Sequence, residues 1–150
     1  MIINVIMSPT LITMSEEQST YGPQRKEGCI FCDDEIITKI ITSHGTVFAI
    51  ESKYPATDGH VLIIPYRHTL DFFSMTPQEM HHSEELLLML KTKILDNDIT
   101  VTGFNIGMNC GESAGQTVMH AHTHLIPRRD GDVMNRRGEV MHVIPDKGNC

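Results

Sequence analysis

The sequence predicts an α+β fold, an antiparallel sheet of about five strands with one long helix packed on it. Three observations lead there. Short runs rich in β-branched residues and Phe recur along the chain, one segment alone carries a long helical period with a start signal, and no internal repeat is visible. A length of 150 residues suits one compact domain with its own core. Hydrophobic content of 40% and charged content of 21% place the chain among ordinary globular proteins, not disordered ones.

The elements follow in order. The opening "MIINVIMSPTLIT" is apolar but has no Lys or Arg and is broken by Asn4, Ser8, Pro9 and Thr10, so it makes a poor signal peptide; Met7 and Met14 are alternative starts. With "SEEQSTYGPQRKEG" it reads as an N-terminal tail, residues 1–27, ahead of one domain with a C-terminal extension, residues 28–150. "EIITKIIT" and "TVFAIES" read as two strands joined by a turn at "SHG". "KYPATDG" is a loop, and "HVLIIP" is a short buried strand.

The helix is "MTPQEMHHSEELLLMLKTKILDND". Thr76 is its N-cap, Pro77 its first residue, and Glu79 completes a capping box. Met80, Leu87, Leu90 and Ile94 lie near a helical period. His81 and His82 are adjacent, cannot face one ligand together, and read as solvated. "TVTGFNIGMN" is a strand, "CGESAG" a small-residue loop, and "TVMHAHTHLIP" a strand again. The remaining "RRDGDVMNRRGEVMHVIPDKGNC" is loop-like, with a short strand at "EVMHVI".

A formal net charge of −7 argues against a general nucleic-acid coat but leaves a small anionic ligand open, because local groups bind phosphate. No apolar run reaches the 18 or so residues of a membrane helix, and with so poor a signal peptide a cytoplasmic protein is the default expectation. Of the four cysteines, Cys29 and Cys32 form "CIFC", which in a reducing compartment suggests a metal site or a redox pair. Cys110 and Cys150 have no evident partner, and His44 and His142 read as ordinary loop or strand residues.

The chemistry concentrates in "GQTVMHAHTHLIPRR". In a strand, alternate side chains share a face, so His120, His122 and His124 would point the same way, about 6.5–7 Å apart. Imidazoles need partners when buried, and three in register argue against a plain surface. Two readings remain at this point. All three could bind a metal, although barrel hydrolases that open on such pairs need about 200 residues or more. Alternatively one imidazole is a nucleophile toward phosphorus, its other nitrogen held by an acceptor and the phosphate met by donors. "NCGESAGQT" could supply those donors: Gly111 and Gly115 let backbone approach, while Gln116 and Thr117 carry side-chain donors.

These residues resemble the histidine triad family, whose signature is His-φ-His-φ-His-φ-φ with φ apolar; Thr123 departs from it at one φ position. "ATDGHVLIIPYRH" resembles the family's Gly-His strand and Pro-x-x-His turn, "NCGESAGQ" its glycine-rich loop, and "CIFC" its zinc-binding branch. The resemblance spans about Gly28 to Arg129 and implies a HIT-like fold. It implies that His122 attacks an α-phosphate to give a covalent nucleotidyl-histidine, which water then releases as a nucleoside monophosphate. It implies that the main-chain carbonyl of His120 aims His122. His124 and His60 would line the same site, one of them helping proton transfer. Asn109, Gln116 and Thr117 match positions that hold phosphate oxygens or the leaving group. Ser52 falls where relatives place Asn or Asp against the ribose, a shorter group that cannot clasp two hydroxyls.

The resemblance also implies a structural zinc on Cys29, Cys32, His68 and His120, no organic cofactor, and a homodimer whose sheets join into one. It points to dinucleoside polyphosphates, with adenosine as base, and to a nucleoside phosphoramidase as the runner-up. Two other classes compete: a nucleotide-binding scaffold with little turnover, and a zinc-stabilised interaction module. No nucleic-acid polymer or membrane partner is expected. Arg67, Arg128 and Arg129 would either draw in polyphosphate or be simply solvated.

Overall fold

The computed structural model describes residues 24–132. The strand expected at "EVMHVI", His142, Cys150 and the first 23 residues lie outside them. Five strands form one antiparallel sheet: β1 Ile40–His44, β2 Val47–Glu51, β3 Val61–Pro65, β4 Val101–Gly107 and β5 Thr123–Arg129, in the order β1-β2-β3-β5-β4. One long helix, α1, spans Pro77–Asn97 and packs on β1, β2 and β3. This is the α+β architecture the sequence predicts.

β2 from Val47 to Ile50 and the whole of β3 are apolar and buried because both faces of the sheet are covered there. Val47, Ala49, Val61 and Ile63 meet Leu86 and Leu90 of α1 and Leu125 of β5. The alternate residues Phe48, Ile50, Leu62 and Ile64 meet Phe31 and Ile36 on the opposite face. His124 pairs with Leu62, and residues directly opposite in a ladder share a face. His124 therefore stands on the face turned away from the helix, and that is where the site assembles.

α1 begins as its cap predicts: Thr76 accepts from the Glu79 N–H at 3.1 Å and Glu79 accepts from the Thr76 N–H at 2.8 Å. Its buried stripe is Glu79, Ser83, Leu86 and Leu90, with Leu87 and Ile94 partly covered. Burial alone would raise the Glu79 pKa, but the Arg67 fork at 2.7 Å on both oxygens and the Thr76 N–H reverse that and hold it low. Among the described residues, no helix is long and apolar enough to cross a membrane.

Three expectations need correction. "EIITKIIT" is not one strand: Asp34–Lys39 form a 3-10 helix and β1 starts only at Ile40. The Asp33 carboxylate caps the Glu35 N–H at 2.9 Å, and acidic residues open the turn while Lys39 closes it, which outweighs the β-branched composition. "TVMHAHTHLIP" is not a strand throughout. β5 starts at Thr123, because the His120 N–H turns back to Val118 O (2.8 Å) and the Ala121 N–H goes to Thr69 O (2.7 Å). His82 is not solvated: it is half-buried, and its Nδ1 accepts from the Thr46 N–H at 3.0 Å. Gly45, at φ 53°, makes room for it, since a Cβ there would overlap the imidazole. His44 pairs with Glu85 at 2.8 Å beside it.

Candidate active site and metal centre

Cys29 and Cys32 sit on one tight turn, closed by the Cys32 N–H on Cys29 O at 2.9 Å. The Arg25 guanidinium steadies it, donating to Cys32 O and pairing with Asp34 at 2.6 Å. His68 follows β3, with its N–H on Gln24 O at 2.8 Å. His120 reaches the same point from the opposite side. Its Nδ1 lies 3.5 Å from both sulfurs, and His68 Nδ1 lies 3.5 Å from Cys32 Sγ. All four ligand atoms lie within 4.8 Å of one another.

The chemistry of this set fits a tetrahedral dication. Zn–S and Zn–N bonds of about 2.3 and 2.0–2.1 Å give a tetrahedron whose S–N edge is about 3.6 Å, close to the spacing seen. His120 Nε2–H donates to Pro65 O at 2.9 Å, which leaves the Nδ1 lone pair facing the thiols. Burial holds the His120 pKa down at about 4, so the imidazole is in its neutral, ligating form. Four protein donors would close the coordination sphere of such an ion, the pattern of a structural rather than a catalytic site.

A second group, His44, His82 and Glu85, also has metal-like spacing. Here the Thr46 N–H occupies His82 Nδ1, which puts the ring proton on Nε2 and leaves no lone pair for an ion. This group clamps the β1–β2 turn to α1.

The remaining histidines form a second cluster on the same face. His60 and His124 share a hydrogen bond, Nε2 to Nδ1, at 2.9 Å. Its direction is fixed from the backbone. The Ala56 N–H donates to His60 Nδ1 at 3.0 Å, so the His60 proton is on Nε2 and points to His124. His124 Nδ1 then accepts, and its own proton is on Nε2. His122 has the opposite polarity. Its Nδ1–H donates to His120 O at 2.8 Å, which leaves Nε2 with a lone pair. The His122 and His124 rings stand 5.1 Å apart, and Phe31 packs edge-on against His120 and His122. One imidazole thus offers a nucleophilic nitrogen while its neighbour offers an N–H donor.

Burial lowers the pKa of His60 and takes that of His124 down to about 4, with the nearby His122 and His60 adding to the effect. The pair is neutral at neutral pH. The unfolded chain takes up these protons near pH 6.5, whereas the folded protein does not. The stability contributed is therefore complete above about pH 6.5 and is lost as pH falls toward 4. Thermal melts should show Tm falling from about pH 7.5 to 5, and falling less steeply in His124→Gln. Parallel curves for the two proteins would contradict this account of the pair.

The loop before the triad is braced from within. Gly111 and Gly115 adopt φ 88° and 84°, which only glycine takes without strain. Gln116 is buried; its Oε1 accepts from Gly111 N–H at 2.7 Å, and Nε2 donates to Leu70 O and Val118 O at 2.7 and 3.0 Å. Asn109 Nδ2 donates to Ala114 O. Thr117 is exposed. Ser52 follows β2, and its N–H donates to His60 O at 2.9 Å, placing it beside that histidine.

The structure thus brings together Cys29, Cys32, His68 and His120 in one cluster and His60, His122 and His124 in another, with Gln116 engaged in the loop itself. The three triad imidazoles do not share one strand face, because His120 precedes the ladder and serves the cysteines. Nor do the arginines stand ready for polyphosphate. Arg67 forks on Glu79, Arg128 pairs with Asp132 at 2.8 Å, and Arg129 pairs with Asp98 at 2.6 Å. Phe31, the Ala56 N–H and Pro65 O are site components the sequence reading passed over. Phe31 alone had a signal, its place inside "CIFC".

Comparison with known proteins places this geometry in a family. The family model for the HIT domain matches residues 33–131. An uncharacterised HIT-like protein of Methanocaldococcus jannaschii is 34% identical over 123 residues, 79% of this chain and 94% of that protein. The AP-4-A phosphorylase of Mycobacterium tuberculosis is 35% identical over 89 residues, 57% of this chain and 44% of that longer protein. Among solved structures, a zinc-bound histidine triad family protein of Mycobacterium smegmatis superposes with a TM-score of 0.64 at 30% identity, covering 72% of this chain and 80% of that one.

Proposed function

The chain belongs to the histidine triad (HIT) family, and from that premise we propose that it is a nucleotide hydrolase acting at the α-phosphate of a dinucleoside polyphosphate. The observation that carries this reading is the opposed tautomers of His122 and His124, a lone pair beside an N–H donor. His122 Nε2 attacks the α-phosphorus, and the bond from phosphorus to the bridging oxygen breaks. The leaving polyphosphate keeps the electron pair and is met by His124 Nε2–H, with His60 as the positioning residue behind it. Water then attacks phosphorus, the P–N bond breaks, and nucleoside monophosphate leaves with His122 restored. The net reaction consumes one water and yields a monophosphate and the remaining nucleoside polyphosphate.

In the same reading Thr117 and Asn109 meet phosphate oxygens, Gln116 holds the loop that presents them, and Ser52 faces the ribose. Cys29, Cys32, His68 and His120 would hold zinc, which ties the N-terminal turn to the catalytic segment; no organic cofactor is required. The resemblance of part of the chain to an AP-4-A phosphorylase supports this substrate class. Reduced thiols in the metal cluster suit the cytoplasm. A homodimer joined through β4 is part of the proposal: β4 is an edge strand with Ile106 exposed, and sedimentation should give twice the 16.9 kDa chain mass.

A hydrolysis panel tests the reading. Diadenosine tetraphosphate and an adenosine phosphoramidate are incubated separately with the protein, and AMP release is followed. Faster release from the tetraphosphate is expected. Release from the phosphoramidate alone would make the protein a phosphoramidase, and binding without release would make it a scaffold.

A further inference from the structure

A pocket of about 240 Å³ opens between the Cys29–Cys32 turn and the catalytic loop, with Lys26, Glu27, Ile30, Thr117, Val118 and Met119 among its walls. It adjoins the site. Ile30 precedes Phe31, whose ring lies 5.4 Å from that of His122, and Val118 O receives the His120 N–H. Its volume falls below the roughly 300–1,000 Å³ of a site for a whole drug-sized ligand, so it suits a fragment.

The lining is mixed in a way that describes that fragment. Every arginine of the described residues is paired with a carboxylate, whereas no carboxylate lies within ion-pairing distance of the Lys26 ammonium among them. Among the described residues, Lys26 is thus the cation beside the catalytic loop that no carboxylate neutralises. Ile30, 58% exposed, gives an apolar wall that packing does not require. The Glu27 carboxylate opposes a bare anion, but it accepts hydrogen bonds from hydroxyl or amino groups. Cation, apolar wall and carboxylate acceptor together match phosphate, base and sugar hydroxyls.

We propose that this pocket is the subsite for the leaving half of the substrate, a nucleoside polyphosphate. The chain of phosphates passes Thr117, its distal phosphates meet Lys26, and the second nucleoside lies against Ile30 and Met119. Which half leaves rests on the hydrolase reading above; that the pocket takes a nucleotide does not. The pocket thereby favours long leaving groups over ammonia or inorganic phosphate.

The test is calorimetric titration with a methylene-bridged, non-hydrolysable diadenosine tetraphosphate and, separately, with AMP. Lys26→Ala should weaken the analogue about tenfold, the worth of one charge-assisted contact, and leave AMP unchanged. Met119→Trp, which fills the pocket, should do the same. Unchanged analogue affinity in both variants, or equal losses for analogue and AMP, would overturn the subsite. Lys26-dependent binding of the analogue by a protein that releases no AMP from the parent compound would instead leave the subsite standing and remove the hydrolase reading.

Discussion

His122→Ala should lose at least about three orders of magnitude in kcat for AMP release while keeping its fold, since removing a nucleophile eliminates the covalent route itself. The structure separates this residue's chemistry from its structural share. Its imidazole is buried, makes one hydrogen bond to the His120 carbonyl and packs against the Phe31 edge, and takes no part in the metal cluster. Truncation removes one bond and some packing, at a cost of about 1–3 kcal/mol, which a domain with apolar cover on both sheet faces withstands. His124→Ala should fall less than His122→Ala, by about 10²-fold, the lower end of what a proton donor contributes, because it leaves the attacking nitrogen in place. Initial rates beside thermal melts decide the matter. A folded His122→Ala protein with kcat within about tenfold of wild type would show that the lone pair on Nε2 is not the nucleophile.

Removal of the metal should have the second large effect, on stability and activity together. Structural zinc contributes about 10–16 kcal/mol to the folding of isolated zinc-finger peptides. This domain has its own core, so the share here is smaller. Even about 3 kcal/mol would lower Tm by roughly 10 °C or more for a domain of this size. Cys29→Ser leaves three donors and should purify without stoichiometric zinc. Activity would follow for a geometric reason: the His120 ring faces both thiols as a ligand of the proposed ion would, while its carbonyl fixes the His122 tautomer. Freeing the ring loosens the carbonyl. Metal content, Tm and kcat should therefore fall together in Cys29→Ser and after chelation. Wild-type protein that is zinc-free without exposure to chelator, or a Tm indifferent to chelation, would refute the centre.

Much of the architecture could be read where local and tertiary forces agree. Thr76, Pro77 and Glu79 announce the start of α1 because the capping box is a local structure, and the apolar runs of β2 and β3 announce strands covered on both faces. Reading failed where a short-range contact overrode composition. Asp33 and its acidic neighbours wind "EIITK" into a 3-10 helix despite its isoleucines. The residues around His120 leave the ladder to satisfy Val118 and Thr69 carbonyls, so alternation assigned the first imidazole to the wrong partners. The reach of Gln116 to Leu70, the half-burial of His82 against Thr46 and the pairing of Arg129 with Asp98 depend on residues tens of positions away. Spacing alone carries no trace of them. The same holds for the Ala56 N–H that sets the His60–His124 polarity, since a backbone donor has no residue type to signal it.

The most direct measurement is to trap the intermediate. The protein is mixed with a dinucleoside polyphosphate labelled at the α-phosphates, quenched in alkali during turnover, and digested for mass analysis. The labelled nucleotidyl group should be found on the peptide that contains His122, attached to that residue, and should be absent from His122→Ala. Steady turnover with no label on the protein, or with label on His60 or His124 instead, would contradict the mechanism.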